Sequence, residues 1–158
     1  SYLVELIDAF TYEEGSHVEL YHLLVSSLER LNRGEPIPLV LRYYELRLLE
    51  QVGFRPELFR CVNCRKEIRE EDQYLSGGLG GAVCSACGSE VPEVKLHPVS
   101  ARVLKYLRHI QRNRYADLQD LEVPRDLEPG LEKTMRYFLT HMLEDRLNSP
   151  EFLDQISG

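Results

Sequence analysis

The sequence predicts a mainly α-helical, bundle-like domain that is interrupted by a small insertion of β-ribbon or loop structure. Apolar residues recur at helical spacing toward both ends of the 158-residue chain. Between residues 54 and 96 this periodicity is absent, glycines are frequent, and all four cysteines occur. We therefore predict a helical domain formed by residues 1–58 and 93–158, with an inserted segment at residues 59–92.

The first part of the chain predicts three helices. A short one opens the chain, and its apolar residues are Leu3, Leu6, Ile7 and Phe10. Ser16, with Glu19 three residues later, has the pattern of a capping box and predicts the start of a second helix, which Gly34 ends. The apolar stripe of this second helix is Leu20, Leu23, Leu24, Leu28 and Leu31. Pro36 stands where a third helix begins, and Gly53 stands where it ends.

Two further helices are predicted after the insertion. The first begins at Pro98, and its apolar face is Val99, Val103, Leu107 and Ile110. A polar, turn-rich stretch at 113–130 leads to the last helix, which carries Leu131, Met135, Phe138, Met142 and Leu147. The run Asn148-Ser149-Pro150 ends it.

The spacing of the cysteines predicts a metal site. Cys61 and Cys64 form one Cys-x-x-Cys pair, and Cys84 and Cys87 form a second one after nineteen intervening residues. This arrangement lies in the range of four-cysteine zinc sites, because two tight turns can direct four thiolates at one ion. Such a turn often needs a left-handed residue after its second cysteine, a position that suits Gly88 and is less favourable for Arg65.

Four cysteines could also form two disulfides, a redox pair or buried apolar side chains. Disulfides need an oxidising compartment, and nothing in the sequence suggests secretion. A redox pair is expected to open a helix after a strand, whereas both pairs lie in loop-like sequence. Buried structural cysteines rarely form two matching pairs. We therefore predict one zinc ion held by Cys61, Cys64, Cys84 and Cys87, and a structural role because no ligand position is left open.

Composition and motifs give no indication of an enzyme. The five histidines form no HExxH pattern, and the glycine-rich run at 77–81 lacks the Lys-Ser/Thr that follows a phosphate-binding loop. No apolar run approaches membrane-spanning length. The net charge of −7 argues against a protein that coats nucleic acid without specificity.

One basic segment stands out against this acidic background. From residue 97 to residue 114 there are five Arg or Lys residues and no Asp or Glu. Four of them lie on one stripe of the predicted helix, namely Arg102, Lys105, Arg108 and Arg112. The stripe is either a solvated helix face or a docking site for an acidic peptide or a phosphate backbone.

The sequence resembles the C-terminal part of the RecO family, the bacterial recombination mediators of the RecFOR pathway. The stretches that carry the resemblance cover nearly the whole chain: "YLVELIDAFT", "LRYYELRLLEQVGFRPELFRCVNC", "GGLGGAVCSAC", "LHPVSARVLKYLRHI" and "YFLTHMLEDRLNSPEFL". The resemblance implies a helical domain with a zinc-binding insertion, preceded in the family by an OB-fold that this chain lacks. It also implies a bacterial, cytoplasmic and nucleoid-associated protein that binds and anneals single-stranded DNA, mainly through the OB-fold.

Partners follow from the same resemblance. Members cooperate with RecR, engage the acidic C-terminal tail of single-stranded DNA-binding protein, and help to load RecA. We therefore expect a non-enzymatic mediator domain that binds partner proteins and single-stranded DNA, with the basic stripe as the binding surface. The alternative is a zinc-ribbon adaptor for protein interactions that is unrelated to recombination.

Overall fold

The structure is a computed structural model that describes residues 2–5, 18–91, 96–150 and 153–154. These residues are mainly helical and contain one three-stranded antiparallel sheet, which confirms the predicted fold class. Residues 2–5 are helical. The elements that follow are α1 (Val18–Asn32), α2 (Ile37–Gln51), β1 (Gln73–Ser76), β2 (Gly81–Val83), α3 (Ser85–Gly88), β3 (His97–Val99), α4 (Ala101–Arg112), a 3-10 helix (Tyr115–Leu118) and α5 (Glu128–Leu147).

Helix α2 is the centre of the helical part, since it packs against α1, α4 and α5. Its ends are where the sequence predicts them. Pro36 occupies the N-cap position, and Gly53 follows the helix with a φ of +89°, a left-handed conformation that glycine adopts without steric cost. Gly34, with a φ of +78°, ends α1 in the same way. Apolar side chains that α2 buries include Leu39, Leu46, Leu48 and Leu49.

The sheet has the order β2-β1-β3, with both neighbours antiparallel to β1. Leu75 pairs with Ala82 on one side and with His97 on the other. Its side chain is fully buried. Because β3 follows residue 92, the sheet joins residues of the predicted insertion to the start of the second helical part; the boundaries at 59–92 stay a prediction.

The predicted helix start at Pro98 is wrong. Residues His97–Val99 form β3, and helix α4 begins at Ala101. Ser100 is its N-cap, and the Ser100 side chain accepts a hydrogen bond of 3.2 Å from the amide of Val103. The proline signal is outweighed here because the backbone before Ser100 pairs with β1.

Two further expectations concern α1 and the turn-rich stretch. The predicted buried stripe of α1 includes Leu28, yet this residue is 40% exposed. The capping residue Ser16 lies outside the described residues, as do Leu6, Ile7 and Phe10. The stretch at 113–130 is more ordered than its composition suggests, because the 3-10 helix buries Tyr115 and Leu118. None of the helices in the described part of the chain is long and apolar enough to span a membrane.

Candidate metal centre and docking groove

The structure brings together all four predicted cysteines. Their Sγ atoms all lie within 4.8 Å of one another, although the two pairs come from separate turns. Cys61 and Cys87 are buried, Cys84 is half-buried and Cys64 is exposed. The four thiols are therefore placed as ligands of one ion that sits at the edge of the protein.

The first turn wraps its amides around Cys61. The Cys61 Sγ accepts hydrogen bonds from the amides of Asn63 (3.4 Å) and Cys64 (3.5 Å), and from the amide of Cys84 (3.4 Å) in the second turn. Arg65 then takes the left-handed conformation that the sequence predicts for it, with a φ of +69°. Its amide donates to the Cys61 carbonyl at 2.9 Å and closes the turn.

The second turn differs from the prediction for Gly88. The pair is built on the one-turn helix α3, with Cys84 at its N-cap, and Gly88 does not have a positive φ. A Cβ at Gly88 would lie 2.6 Å from the ring of Tyr74. Glycine is therefore required here for a close approach to the sheet and not for a left-handed turn.

The surroundings of Cys61 and Cys87 shift the pKa values of these two thiols in opposite directions. Burial alone would raise the pKa of Cys61, but amide hydrogen bonds from Cys64, Cys84 and Asn63 outweigh it and lower the pKa to about 6. A hydrogen bond with the Asn63 side chain lowers the pKa of Cys87, but burial and the other three thiols raise it more, to about 12. Neighbouring thiolates repel each other, and a bound cation would remove that repulsion.

These residues can bind a metal ion. Four thiolates without an oxygen or nitrogen donor favour a soft or borderline ion in tetrahedral geometry. Backbone amides around Cys61 hold the ligands in place, as the outer hydrogen bonds of metal sites do. Since four ligands complete a tetrahedron, the set leaves no position for a substrate, and an ion bound here would have a structural role.

A groove lies between α4 and the chain that follows α2. It has a volume of about 590 Å³, and we call it the docking groove; its lining is Phe59, Glu70, Lys105, Arg108, His109, Arg112 and Asn113. Three of the four stripe residues, Lys105, Arg108 and Arg112, line it. The fourth, Arg102, does not line it and pairs with Asp126 at 2.8 Å.

Phe59 forms the aromatic wall of the docking groove. The guanidinium carbons of Arg108 and Arg112 lie 5.2 Å and 4.8 Å from the centre of its ring. Arg108 Nε also donates to the carbonyl of Leu58 at 2.7 Å. Burial lowers the pKa of Arg108, with nearby Arg112 acting in the same direction, whereas Glu70 and Glu57 raise it. Its Nη2 atom is buried without a hydrogen-bond partner among the described residues.

Sequence reasoning missed two residues of this site. Phe59 has no periodic pattern around it, and the only signal is its place directly before the first cysteine pair. Arg47, on α2, donates to the carbonyls of Ile110 and Gln111, and to that of Asn113, and so holds the C-terminal end of α4. No sequence pattern marks a side chain that caps a helix more than sixty residues away.

A larger cavity of about 680 Å³ lies beside α2 and α5, but it is a weaker candidate. Its walls are mainly apolar, and the buried charges at its base already face each other, since Arg42 Nε lies 2.7 Å from Glu45 Oε1. The docking groove, by contrast, offers cations that are not paired with an acid within the described residues.

Comparison with known proteins identifies the family. The family model described as "Recombination protein O C terminal" matches residues 1–151. The chain belongs to this RecO family. The DNA repair protein RecO of Dehalococcoides mccartyi is 34% identical over 155 residues, which cover 98% of this chain and 60% of the relative. RecO of a Roseiflexus species is also 34% identical, with 98% and 54% covered.

More distant relatives carry the same name. RecO of Bacillus pumilus is 29% identical, and the match covers 100% of this chain and 60% of the relative. The chain therefore spans about 60% or less of the length of these RecO proteins. No solved structure matches it significantly. Nothing in the comparisons supports the alternative of an adaptor unrelated to recombination.

Proposed function

We propose that this chain is the partner-binding part of a bacterial DNA repair and recombination mediator, with no catalytic activity of its own, and that it works in the cytoplasm near the nucleoid. Its membership of the RecO C-terminal family and the names of its relatives support this proposal. RecR and single-stranded DNA are its further proposed partners. DNA contact is proposed to depend mainly on the OB-fold that the resemblance implies.

The metal in this proposal is one zinc ion per chain, bound by Cys61, Cys64, Cys84 and Cys87. The all-sulfur donor set and the amides that surround Cys61 support it. Binding would tie the first turn to α3, two segments that are about twenty residues apart in the chain. The ion would thus stabilise a region whose own apolar core is small.

The proposed ligand of the docking groove is the acidic C-terminal tail of single-stranded DNA-binding protein. One observation supports this proposal above the others: Arg108 Nη2 is buried in the groove wall without a partner among the described residues. A buried donor that lacks an acceptor is costly, and a carboxylate of the tail would satisfy it once the guanidinium turns toward the groove. Arg112 and Lys105 provide further positive charge beside it, and Phe59 provides an apolar surface.

The affinity is expected to be modest and sensitive to salt. Ion pairs at an exposed site contribute at most about 1 kcal/mol each, so several must act together with the aromatic wall. Glu70 also lines the groove and opposes an acidic ligand. Added salt screens the exposed contacts made by Lys105 and Arg112 more than the buried contact made by Arg108.

Fluorescence anisotropy with a labelled acidic peptide that ends in an apolar residue tests this proposal. The double variant Arg108→Glu/Arg112→Glu is expected to bind at least about tenfold more weakly, because two attractive contacts become repulsive. Arg108 also holds the Leu58 carbonyl. A second variant, Lys105→Glu/Arg112→Glu, therefore changes the charge of the groove and leaves that hydrogen bond in place.

The matched control is Arg125→Glu/Lys133→Glu, which makes the same change in charge at two residues outside the groove. It is expected to bind the peptide within about twofold of the unsubstituted chain. A peptide in which amides replace the side-chain acids is expected to bind weakly to all variants. Unchanged binding in both groove variants would mean that the stripe is only a solvated helix face.

A further inference from the structure

We propose that the turn around Cys61 and Cys64 binds phosphate groups of single-stranded DNA through Arg60, Arg65 and Lys66. We call these three residues the knuckle cations. This site is separate from the docking groove, and it rests on the proposed function only in taking DNA as the substrate of the whole protein. It assigns a binding role to a region for which we have so far proposed only metal binding.

The knuckle cations lack an ion-pair partner among the described residues, as the groove cations do, whereas seven arginines have one. Ion pairs hold seven arginines in the described residues: Arg33, Arg42, Arg47, Arg55, Arg102, Arg114 and Arg136. Arg60, Arg65 and Lys66 are all exposed, and none forms an ion pair with a residue that the structure describes. Three exposed cations of one turn, without ion-pair partners among the described residues, can bind an external anion.

The turn also brings the backbone on either side of the first cysteine pair close together. The Cys61 amide donates to the Lys66 carbonyl at 2.8 Å, and Arg60 forms an antiparallel bridge with Glu67. The two ends of the turn therefore lie side by side. No acidic residue stands between Arg60 and Lys66 in the sequence.

The two nearest acids form no ion pair with the knuckle cations in the described part of the chain. The carboxylate of Glu57 accepts the amides of Phe59 (2.8 Å) and Arg60 (3.0 Å), so it is directed at the backbone. Glu67 is exposed and forms no ion pair in the part of the chain that the structure describes. Counting the Arg, Lys and Glu side chains alone, and leaving aside the thiols of Cys61 and Cys64, the segment 60–67 has a charge of +2.

The backbone of Arg65 gives a second, independent reason. With a φ of +69° it has a conformation that glycine adopts freely and that an L-residue adopts at a cost. The turn itself would be better served by glycine, so an arginine here requires a reason that lies in its side chain. Strained residues of this kind cluster at binding sites.

Phosphate is the anion that these side chains suit best. The planar guanidinium donates in parallel to two phosphate oxygens, and lysine is an effective point charge beside it. Single-stranded DNA presents phosphates repeatedly along an extended chain, so three neighbouring cations contact several at once. An acidic peptide offers carboxylates less regularly and has its own proposed site in the docking groove.

The test measures binding of a fluorescently labelled poly-thymidine single strand by anisotropy at several salt concentrations. The variant Arg65→Gly/Lys66→Ala removes two phosphate contacts. Each contact contributes about 0.7 to the slope of log affinity against log salt, so the slope is expected to fall by about 1.4. At about 0.15 M salt the same relation gives roughly fourfold weaker binding per contact and roughly fifteenfold for the pair.

The matched control is Arg125→Ala/Lys133→Ala, which removes the same charge from residues elsewhere. Its salt slope is expected to equal that of the unsubstituted chain. Zinc content and thermal unfolding are measured on all variants. The single variant Arg65→Gly is expected to retain zinc and to unfold at the same or a higher temperature, because glycine relieves the strained backbone.

Several results would overturn the inference. An unchanged slope in the double variant would show that the knuckle cations do not contact DNA. Loss of zinc from Arg65→Gly would show that the cations serve the thiolate cluster by balancing its charge. Weaker binding of the acidic peptide with unchanged DNA binding would make the turn a peptide site. If the unsubstituted chain binds no poly-thymidine even at low salt, this inference is wrong, whereas peptide binding in the groove still tests the proposed function.

Discussion

Arg47 is expected to be the most important single side chain for holding α4, which lines the docking groove, in place. Its guanidinium donates to the carbonyls of Ile110 (3.2 Å) and Gln111 (3.0 Å), and to that of Asn113. These carbonyls belong to the end of α4, where helix carbonyls lack partners within the helix. The Arg47 side chain is only 16% exposed. We predict that Arg47→Met lowers the free energy of unfolding by about 3 kcal/mol.

The magnitude follows from the contacts. A hydrogen bond from a charged donor contributes about 1.5–3 kcal/mol, so three of them set an upper limit well above the prediction. Water reaches part of the freed helix end and offsets some of the loss. Methionine keeps much of the apolar stem, and the pair with the half-buried Glu50 adds no more than about 1 kcal/mol. A loss of about 3 kcal/mol corresponds to a melting temperature lower by roughly 6–12 °C for a chain of this size.

Urea unfolding followed by circular dichroism measures this loss. Arg33→Met is the matched control, because Arg33 is 61% exposed and its pair with Glu35 is expected to contribute less than about 1 kcal/mol. Arg47→Lys is expected to lie between the two, since an ammonium group cannot reach three carbonyls in one plane as a guanidinium does. If Arg47→Met costs no more than Arg33→Met, the interpretation of Arg47 as the anchor of α4 is wrong.

Three more predictions follow from the site and its surroundings. Elemental analysis of protein purified without added metal is expected to give one zinc ion per chain, and a zinc content near zero would contradict this. The variant Cys84→Ser is expected to lose the ion and to unfold residues 59–92, while the outer helices stay folded. Gly81→Ala is expected to cost at least about 2 kcal/mol in urea unfolding, because its Cβ would lie 2.2 Å from the Glu57 carbonyl oxygen, whereas Gly34→Ala meets open space and is expected to cost only about 1 kcal/mol through its φ of +78°. Burial lowers the pKa of His97 below its ordinary value, with a smaller effect from nearby Lys133. The unfolded chain therefore binds more protons than the folded one, and the free energy of unfolding is expected to fall as the pH drops below about 6.5. The same pH series on His97→Gln is the control, and an unchanged slope in that variant would mean that His97 is not responsible.

The parts of the fold that sequence predicts well are those with a local cause. Gly34 and Gly53 end helices because each takes a left-handed conformation directly after the last helical turn. The prediction of a helix start at Pro98 was wrong because the residues before Ser100 form strand β3, which pairs with the distant strand β1. The prediction of a left-handed conformation at Gly88 was wrong for a similar reason, since its small size permits close contact with the Tyr74 ring.

The same contrast between local and non-local causes applies to the candidate site. The cysteine cluster could be predicted because the spacing of each pair fixes the geometry of its own turn. The docking groove could not, since its shape depends on Phe59 meeting Arg108 and Arg112 across about fifty residues of chain. A stripe of cations on a helix indicates a charged face. It does not show that one of them, Arg102, already forms an ion pair with Asp126 elsewhere in the chain.

The metal centre and the docking groove are connected through the segment 57–62. Its backbone is fixed to β2 by two hydrogen bonds, from the Ala82 amide to the Glu57 carbonyl (2.7 Å) and from the Val62 amide to the Ala82 carbonyl (2.8 Å). On one side of this segment Cys61 enters the thiolate cluster. On the other side, the Leu58 carbonyl and the Phe59 ring hold Arg108. An ion bound to the cysteines would therefore stabilise the short segment that forms the aromatic wall of the groove as well as its own turn. Because metal binding is coupled to folding, we expect removal of the ion to weaken binding of the acidic peptide in the docking groove as well.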